Sequence, residues 1–441
     1  MLRGLREARE HLAARGTPGM ETLPEEVARR TEAIFGQGAT AQSAVSYILR
    51  EVRERGDAAV RELTRRIEAV ELEELEVPKA GVLQAVEGIP KDLRAALELA
   101  AGRVADFAKA SLPRTWHDAG TGLGELVVPL ERIGAYAPGG LAAYPSTVIM
   151  TAVIARAAGV REVLLCTPAR EGVNPDTTVL AAAHIAGVDR VFRIGGAQAI
   201  AAMAYGTESV PRVDKVCGPG NIFVTLAKQQ LFGQVGIDGL FGPTETVVLA
   251  DDSADPRLCA ADLLAQAEHD SMARPVLVTP SEALADRVSE EIKRQLQEME
   301  RRDIAGAALN GQGAVVLVGD MEEAMDVANL FAPEHLCLMV REPWRWVGKV
   351  RHAGGLFLGE HSPEVMGDYV AGPSHTIPTQ GTARFASYLG ADQFIKRIPV
   401  VALEADVVRR LAPAAASIAR AEGLTGHARA AEMRMEREGK E

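Results

Sequence analysis

Short apolar runs separated by amphipathic stretches fill the chain from residue 126 onward. A short apolar run predicts a buried strand, and apolar positions three or four residues apart predict a helix. Strands are predicted at residues 126–135, 162–166, 190–194, 215–217, 246–250, 275–279, 315–320, 337–340 and 354–359. Helices are predicted between them, at 147–158, 177–186, 199–205, 255–269, 281–302 and 321–330. This alternation predicts βαβ units with parallel sheets, which is an α/β fold.

The N-terminal third shows helical periodicity and no cluster of reactive side chains. Residues 1–24 are predicted to form a short arm, and residues 25–68 two helices separated at Gly56. We expect this part of the chain to serve packing. In the C-terminal tail, Pro413 is predicted to interrupt a helix at 405–421, and Thr425 to cap the last helix.

One stretch places a carboxylate beside an imidazole, at Glu334 and His335. Asp320 is the expected N-cap of the preceding helix, and Pro333 ends that helix because the residue before a proline disfavours helical backbone. The pair therefore lies on a turn that leads into a strand. Histidine suits proton transfer near neutral pH, so the pair predicts acid–base chemistry. The alternative is a solvated pair on the surface.

Glycine-rich turns follow three predicted strands, at residues 136–140, 195–198 and 218–221. Such turns bring backbone N–H groups close to a phosphate, which favours nucleotide binding. None of them has the GxGxxG spacing of dinucleotide sites, so tight turn geometry remains the alternative. Gln266 and His269 are three residues apart, so they share one face at the end of a predicted helix. This pair is either a candidate site or simply a polar helix end in solvent.

Composition excludes several classes of protein. The 441 residues carry a formal net charge of -12, which argues against nucleic-acid binding because phosphate contacts need clustered Lys and Arg. No apolar run reaches the length of a membrane span, and the N-terminus lacks the apolar segment of a signal peptide. The four cysteines form no CxxC pair. We expect Cys166, Cys259 and Cys337 to be buried thiols of a cytoplasmic protein.

Nine stretches, in chain order, resemble the histidinol dehydrogenase family. They are Tyr136–Gly140, Gly195–Ala199, Gly218–Asn221, Gly242–Glu245, Asp262–Asp270, Ala332–Leu336, Gly367–Tyr369, Gly381–Phe385 and Glu422–His427. The resemblance runs from about residue 25 to about residue 430, and it implies a zinc-dependent, NAD-linked oxidation of L-histidinol through L-histidinaldehyde to L-histidine. That reaction is the last step of histidine biosynthesis.

The resemblance also implies roles for individual residues. Glu334 and His335 match the proton acceptors, and Tyr136, Gln198 and Asn221 match NAD contacts. The positions that match zinc ligands are Gln266, His269, Asp368 and His427. Those ligands, together with Thr244, His335 and Glu422, also match substrate contacts. Two imidazoles, a carboxylate and an amide oxygen suit zinc, which we expect mainly to position the substrate.

The expected architecture has two similar α/β/α modules of incomplete Rossmann type, with small N- and C-terminal helical extensions. Residues 136–243 are predicted to form the NAD-binding domain, and residues 25–135 with 244–390 a discontinuous domain that carries zinc and the acid–base pair. Residues 391–441 are predicted to form a helical dimerisation tail. The resemblance implies a homodimer with shared active sites, in which Glu422 and His427 reach the partner's site.

Three alternatives concern the chemistry. The family commonly has serine where this chain has Thr244, and a related zinc-dependent dehydrogenase acting on sulfopropanediol shares the fold. Such a relative needs a basic residue aimed at the sulfonate, and no new arginine lies beside the motifs. An inactive structural paralogue would have broken ligand positions, and none is broken. Covalent catalysis by Cys217 would need an activating base nearby, which the sequence does not supply.

Overall fold

The computed structural model describes residues 1–12, 23, 25–139, 143–169 and 174–435. Gly140 of the first glycine-rich turn, and residues 13–22 and 24 of the predicted arm, lie outside these residues. No helix among the described residues combines the length and the apolar character needed to cross a lipid bilayer.

The strands of the described chain are β1 Leu2–Arg3, β2 Trp116–Asp118, β3 Leu123–Pro129, β4 Arg132–Tyr136, β5 Glu162–Cys166, β6 Arg190–Phe192, β7 Lys215–Cys217, β8 Gly236–Ile237, β9 Glu245–Ala250, β10 Arg274–Thr279, β11 Ala314–Leu317, β12 His335–Met339, β13 Gly355–Leu358 and β14 Ile395–Val401.

The helices of the described chain are α1 Gly4–Leu12, α2 Glu25–Phe35, α3 Ala41–Glu68, α4 Lys79–Gly88, α5 Lys91–Ser111, α6 Pro145–Val148, α7 Ile154–Ala157, α8 Thr177–Ile185, α9 Gly196–Tyr205, α10 Ile222–Leu231, α11 Pro256–Ala267, α12 Glu282–Leu296, α13 Arg302–Gly311, α14 Met321–Phe331, α15 Trp344–Val347, α16 Glu364–Tyr369, α17 Ala405–Ala421 and α18 Thr425–Glu432. A π-helical segment, Ile149–Val153, joins α6 to α7.

Two parallel sheets share one strand order. The first runs β6-β5-β4-β7-β8, and the second runs β11-β10-β9-β12-β13 with β1 added at its outer edge. Counted within each module, both orders are 3-2-1-4-5, in which the connection reverses direction between the first and fourth strands. In open α/β sheets, ligands bind at such a switch point. The predicted fold class, two similar α/β modules, is confirmed.

Both faces of the second sheet are covered, as its continuous apolar strands require. Successive residues of β9 pack into different apolar clusters: Val247 and Leu249 into one, Val248 and Ala250 into another. The first sheet is covered on one side by α9 and α10, against which the long helix α3 packs. The N-terminal third therefore has the packing role that the sequence predicts.

The chain divides into two compact units, residues 1–111 with 130–394, and residues 112–129 with 395–441. The first unit contains both parallel sheets. The second contains the antiparallel sheet β14-β3-β2 together with α17 and α18. Residues 112–129 are thus grouped with the tail, whereas the predicted boundaries assign them to the discontinuous domain. Those boundaries remain a prediction.

Several predicted elements are wrong in detail. The run at 126–135 is two strands of different sheets, β3 and β4, and the helix predicted at 281–302 is two helices, α12 and α13. Residues 25–68 hold α2 and α3, and Gly56 kinks α3 without ending it. Gly56 has φ +53, and a Cβ there would clash with the Glu208 carboxylate, which accepts the Asp57 N–H. A long-range contact therefore sets this kink.

The tail also differs from its prediction. Helix α17 continues through Pro413, and the N-cap of α18 is Leu424, so Thr425 is the first helical residue and makes no side-chain cap. Strand β14 lies where the sequence predicts only helix. It carries Lys396, Arg397 and Pro399, is largely exposed, and among the described strands pairs with β3, so it is an edge strand and not a buried one.

Candidate active site

The turn between α14 and β12 positions Glu334 and His335. Asp320 caps α14 through a bond to the Glu323 N–H, and the helix ends at Ala332 in left-handed backbone, φ 49° and ψ 63°. Both features agree with the sequence prediction. His335 is the first residue of β12, aligned with Thr246 of β9. The pair therefore lies at the amino edge of the second sheet, opposite the edge at which the switch-point rule places ligands.

The Glu334 carboxylate is held by the start of β9. Its Oε2 accepts the Thr244 hydroxyl at 2.5 Å and the Glu245 N–H at 2.9 Å. Only 8% of the residue is exposed, and this burial raises the pKa of Glu334 although both hydrogen bonds oppose the change. A solvated surface pair is excluded by this arrangement.

The His335 ring lies between an amide and a carboxylate. Its Nδ1 is 3.1 Å from Gln266 Nε2 and 3.3 Å from the Glu245 carbonyl, and its Nε2 is 3.3 Å from Asp368 Oδ1. Burial by itself would lower the pKa of His335, but the carboxylates of Glu334, Asp368 and Glu364 outweigh it and raise the pKa to about 10. The imidazole thus has proton acceptors around it.

The predicted ligands of the first unit converge on this ring. Gln266, near the end of α11, is buried, and its Nε2 donates to the Thr244 hydroxyl. Burial would raise the pKa of Asp368, on α16, but the hydrogen bond from His335 and the charges of His335, His375 and His269 lower it. His269 is exposed just beyond α11, close enough for the charges of Asp368 and His335 to act on its pKa.

Sequence reasoning missed two carboxyl groups beneath these residues. Glu364 is fully buried, its Oε2 accepts the Thr246 hydroxyl at 2.7 Å, and burial raises its pKa to about 8. Burial raises the pKa of Asp262 to about 6. Each lies four residues before a predicted ligand on the same helix, Glu364 before Asp368 and Asp262 before Gln266. That helical spacing was the signal available in the sequence.

His375 is a further residue beside the predicted site residues. Its Nδ1 is 2.9 Å from the Asp368 carbonyl, and its Nε2 is 3.3 Å from the Thr147 hydroxyl of the first module. The neighbouring Ser374 hydroxyl donates to the Met150 carbonyl. These contacts place the segment that follows β4 beside the acid–base pair, so the two modules meet at the site.

The predicted NAD contacts lie at the carboxyl edge of the first sheet. Tyr136 ends β4, and its hydroxyl accepts the Gly196 N–H at 3.0 Å. Gln198 is buried in α9 and donates to Glu68 Oε1 at 2.8 Å. Asn221 caps α10 through its Oδ1 and is exposed. Because β4 and β7 are the first and fourth strands of the order, Tyr136 and the 218–221 turn flank the switch point.

The family profile of histidinol dehydrogenase matches residues 35–435. The chain belongs to the histidinol dehydrogenase family. It is 46% identical over 440 residues to the histidinol dehydrogenase of Dehalococcoides mccartyi strain CBDB1, covering 99% of this chain and 100% of that one. It is 52% identical over 399 residues to the histidinol dehydrogenase of Thermus thermophilus, covering 90% of this chain and 95% of that one.

A solved structure agrees with this assignment. The histidinol dehydrogenase of Elizabethkingia anophelis superimposes with a TM-score of 0.88 at 32% identity, covering 96% of this chain and 99% of that one. The chain is therefore an oxidoreductase of the histidinol dehydrogenase family. An inactive paralogue is not supported, because the matched acid–base and ligand positions are intact.

A zinc ion fits the residues of this histidinol dehydrogenase family site. Glu334, Glu364 and Asp368 surround a single buried imidazole, and among the described residues none of these carboxylates pairs with a Lys or Arg. A cation bound among them would favour the ionised forms of these carboxyl groups. Gln266, His269 and Asp368 supply an amide, an imidazole and a carboxylate. Within the described chain, however, no three His, Cys, Asp or Glu side chains are grouped as a metal site.

The remaining predicted ligand, His427, and the predicted substrate contact Glu422 belong to the second unit. Glu422 ends α17 and His427 lies in α18, and both residues are exposed. The first unit therefore contains three of the four predicted ligands, and the second unit contains the fourth.

The cysteines give no support to covalent catalysis. All four are buried free thiols, as expected for Cys166, Cys259 and Cys337. Burial raises the pKa of Cys217, and the Asp238 carboxylate raises it further. Because the thiolate is the nucleophile, a buried thiol of raised pKa is a poor one.

Glu68 makes stability depend on pH. Burial raises the pKa of Glu68 to about 7, opposed by hydrogen bonds from the Gly195 N–H and Gln198. A carboxyl whose folded pKa exceeds its unfolded value contributes stability below the unfolded pKa, and that stability is lost as pH rises through the folded pKa. As the pH rises from 4.5 to 8, ionisation of Glu68 is therefore expected to lower the free energy of unfolding by about 3 kcal/mol.

The measurement is the free energy of unfolding of wild type and Glu68→Gln in urea at pH 4.5 and pH 8. The free energy of unfolding of wild type should fall by about 3 kcal/mol more than that of the variant between these two pH values, because an amide does not ionise. Parallel pH profiles for the two proteins would contradict the raised pKa. Glu76→Gln, a half-buried carboxyl of the same unit, is the matched control.

Proposed function

We propose that this protein is a histidinol dehydrogenase that oxidises L-histidinol to L-histidine in two NAD-linked steps, through L-histidinaldehyde. The observation that carries the proposal is the buried Glu334–His335 pair, held at one sheet edge by Thr244, Gln266 and Asp368. Family membership supplies the substrate, and the glycine-rich turns at the first sheet's switch point support a nucleotide site.

His335 is the base for the alcohol step. Hydride leaves an alcohol carbon readily only as the oxygen loses its proton, and His335 takes that proton. To do so its imidazole must be neutral, whereas the neighbouring carboxylates favour its cation. A cation bound to Asp368 would weaken the pull of that carboxylate on the His335 proton and so favour the neutral imidazole.

Glu334 serves the second oxidation. The aldehyde must first be hydrated: Glu334, with His335 beside it, takes a proton from the water that adds to the carbonyl carbon and returns it to the carbonyl oxygen. Glu334 then takes one proton from the gem-diol as hydride passes to NAD. The carboxylate is oriented for this work by the Thr244 hydroxyl and the Glu245 N–H.

Gln266, His269 and Asp368, completed by His427, would hold zinc, and Tyr136, Gln198 and Asn221 would contact NAD. Zinc would fix the substrate in place, and NAD would accept a hydride in each oxidation. His427 and Glu422 are exposed residues of the second unit. We propose that they complete the site of a partner subunit in a homodimer.

The test of the proposed function is the yield of NADH per L-histidinol at completion. Two NADH per substrate are expected for the double oxidation, and one NADH would indicate a simple alcohol dehydrogenase. Dihydroxypropanesulfonate serves as the competing substrate, and preferential turnover of it would refute the proposal.

Glu334→Gln is expected to slow aldehyde oxidation about 10²-fold or more, and alcohol oxidation by much less. The amide keeps the shape of the carboxylate but cannot accept a proton, while His335 remains for the first step. The two half-reactions are measured separately, from L-histidinol and from L-histidinaldehyde. Equal losses in both would refute this division of labour.

A further inference from the structure

A buried ion pair, Lys228 with Asp238, stands at the predicted nucleotide edge and is absent from the motifs of the site. Lys228 lies in α10 and Asp238 directly follows β8. Their side chains are 2% and 1% exposed. Both side chains bond to the neighbouring backbone, and through that backbone they can act on a nucleotide site.

Both groups are directed at one glycine. Gly218 donates its N–H to Asp238 Oδ2 at 2.6 Å, and its carbonyl accepts from Lys228 Nζ at 3.0 Å. The other carboxylate oxygen of Asp238 accepts the Gly239 N–H at 2.9 Å. The pair thus occupies both polar groups of the peptide backbone at the start of the 218–221 turn.

The backbone at Gly218 leaves no room for a side chain. Gly218 has φ +119, and a Cβ there would lie 2.1 Å from the Tyr136 carbonyl oxygen. The turn is therefore packed against the end of β4, across the switch point between β4 and β7. Three residues further on, Asn221 caps α10 and presents its remaining amide group at the surface.

The ammonium also contacts the segment that leads to the acid–base pair. Lys228 Nζ lies 4.8 Å from the centre of the Phe241 ring, and the Phe241 carbonyl accepts the Thr225 hydroxyl at 3.0 Å. Three residues after Phe241, Thr244 bonds to Glu334. The ion pair therefore stands between the nucleotide turn and the catalytic carboxylate.

A buried ion pair is weak evidence for stability, because desolvation of two charges offsets their attraction. Its hydrogen bonds here go to the turn and to the adjoining Gly239. We propose that Lys228 and Asp238 are positioning residues that hold the 218–221 turn in its nucleotide-binding shape. This inference rests on the proposed function, in which NAD binds at that turn.

The test uses NADH binding, followed by its fluorescence, in the full-length protein. Lys228→Met, Asp238→Asn and the double variant are each expected to raise the Kd for NADH about tenfold. A tenfold change corresponds to the loss of one good hydrogen bond between the turn and the ligand. In turnover, KM for NAD should rise similarly, while KM for L-histidinol and kcat at saturating NAD change less than about twofold.

The double variant separates positioning from stability. Lys228→Met leaves Asp238 as an uncompensated buried charge, so thermal stability should fall in that variant and recover in the double variant. NADH affinity should stay weak in both. If affinity recovers together with stability, the role is structural and the proposal is overturned. A Kd within twofold of wild type in the double variant would also overturn it.

Glu76→Gln is the matched control, because it breaks the half-buried Arg190–Glu76 ion pair of the same module without touching the turn. Its NADH affinity should equal that of wild type, and an equal loss there would overturn the assignment to Lys228 and Asp238. If wild type itself fails to bind NADH, the proposed function fails and the inference with it. If wild type binds NADH and the ion-pair variants bind it with the same Kd, the inference is refuted and the proposed function is not.

Discussion

Replacing His335 by asparagine is expected to lower kcat for L-histidinol oxidation about 10²- to 10⁴-fold, the usual contribution of a general base. Asparagine keeps a polar group between Gln266 and Asp368, but it cannot accept a proton near neutral pH. KM for NAD should change little, because the predicted NAD contacts lie on the other sheet. The measurement is steady-state NADH formation at saturating substrate and NAD.

His184→Asn is the control, since His184 is an exposed histidine of α8. It should retain full activity. Circular dichroism and a thermal melt establish that His335→Asn is folded. A folded variant with less than about a tenfold loss in kcat would remove His335 from the role of base.

Removal of the metal by a chelator is expected to reduce NADH formation about 10²-fold or more, because the substrate would lose the group that positions it. Zinc added back should restore turnover. Asp368→Asn should weaken zinc affinity by at least about 10-fold, since it removes the carboxylate of the proposed ligand set. Metal content per chain and NADH formation are measured on the same samples.

Binding of NADH serves as the internal control, because the first sheet's nucleotide edge contains none of the predicted metal ligands. It should survive chelation unchanged. A preparation with less than about 0.1 metal ion per chain and full turnover would show that the reaction does not depend on the metal.

The predicted site residues lie at opposite edges of two sheets that have the same strand order. In the first, the predicted nucleotide contacts follow the strands, as the switch-point rule expects. In the second, Thr244, Glu334 and His335 precede or begin their strands. A rule based on strand order alone would have placed the chemistry near Asp251, at the other end of β9. The motifs, by contrast, point to Glu334 and His335, which lie at the amino edge of the second sheet.

Much of this protein is determined by the sequence itself. Apolar runs and helical periodicity specify the parallel strands and the helices between them, because burial of an apolar face is a local property of spacing. Asp320 caps its helix as predicted, since an N-cap needs only its own side chain and the next few N–H groups. The nine ordered motifs specify the family.

The tertiary structure alone decided the rest, because those features depend on residues distant in the chain. The kink at Gly56 needs Glu208, strand β14 needs its partner β3, and the raised pKa of Glu68 needs burial beside Gly195 and Gln198. Burial and long-range contacts likewise turn Glu334 and His335 from a plausible surface pair into a buried, hydrogen-bonded pair. A local sequence pattern shows neither which side chains meet in the fold nor how far each one is desolvated. Contact and desolvation together set the pKa values of these groups.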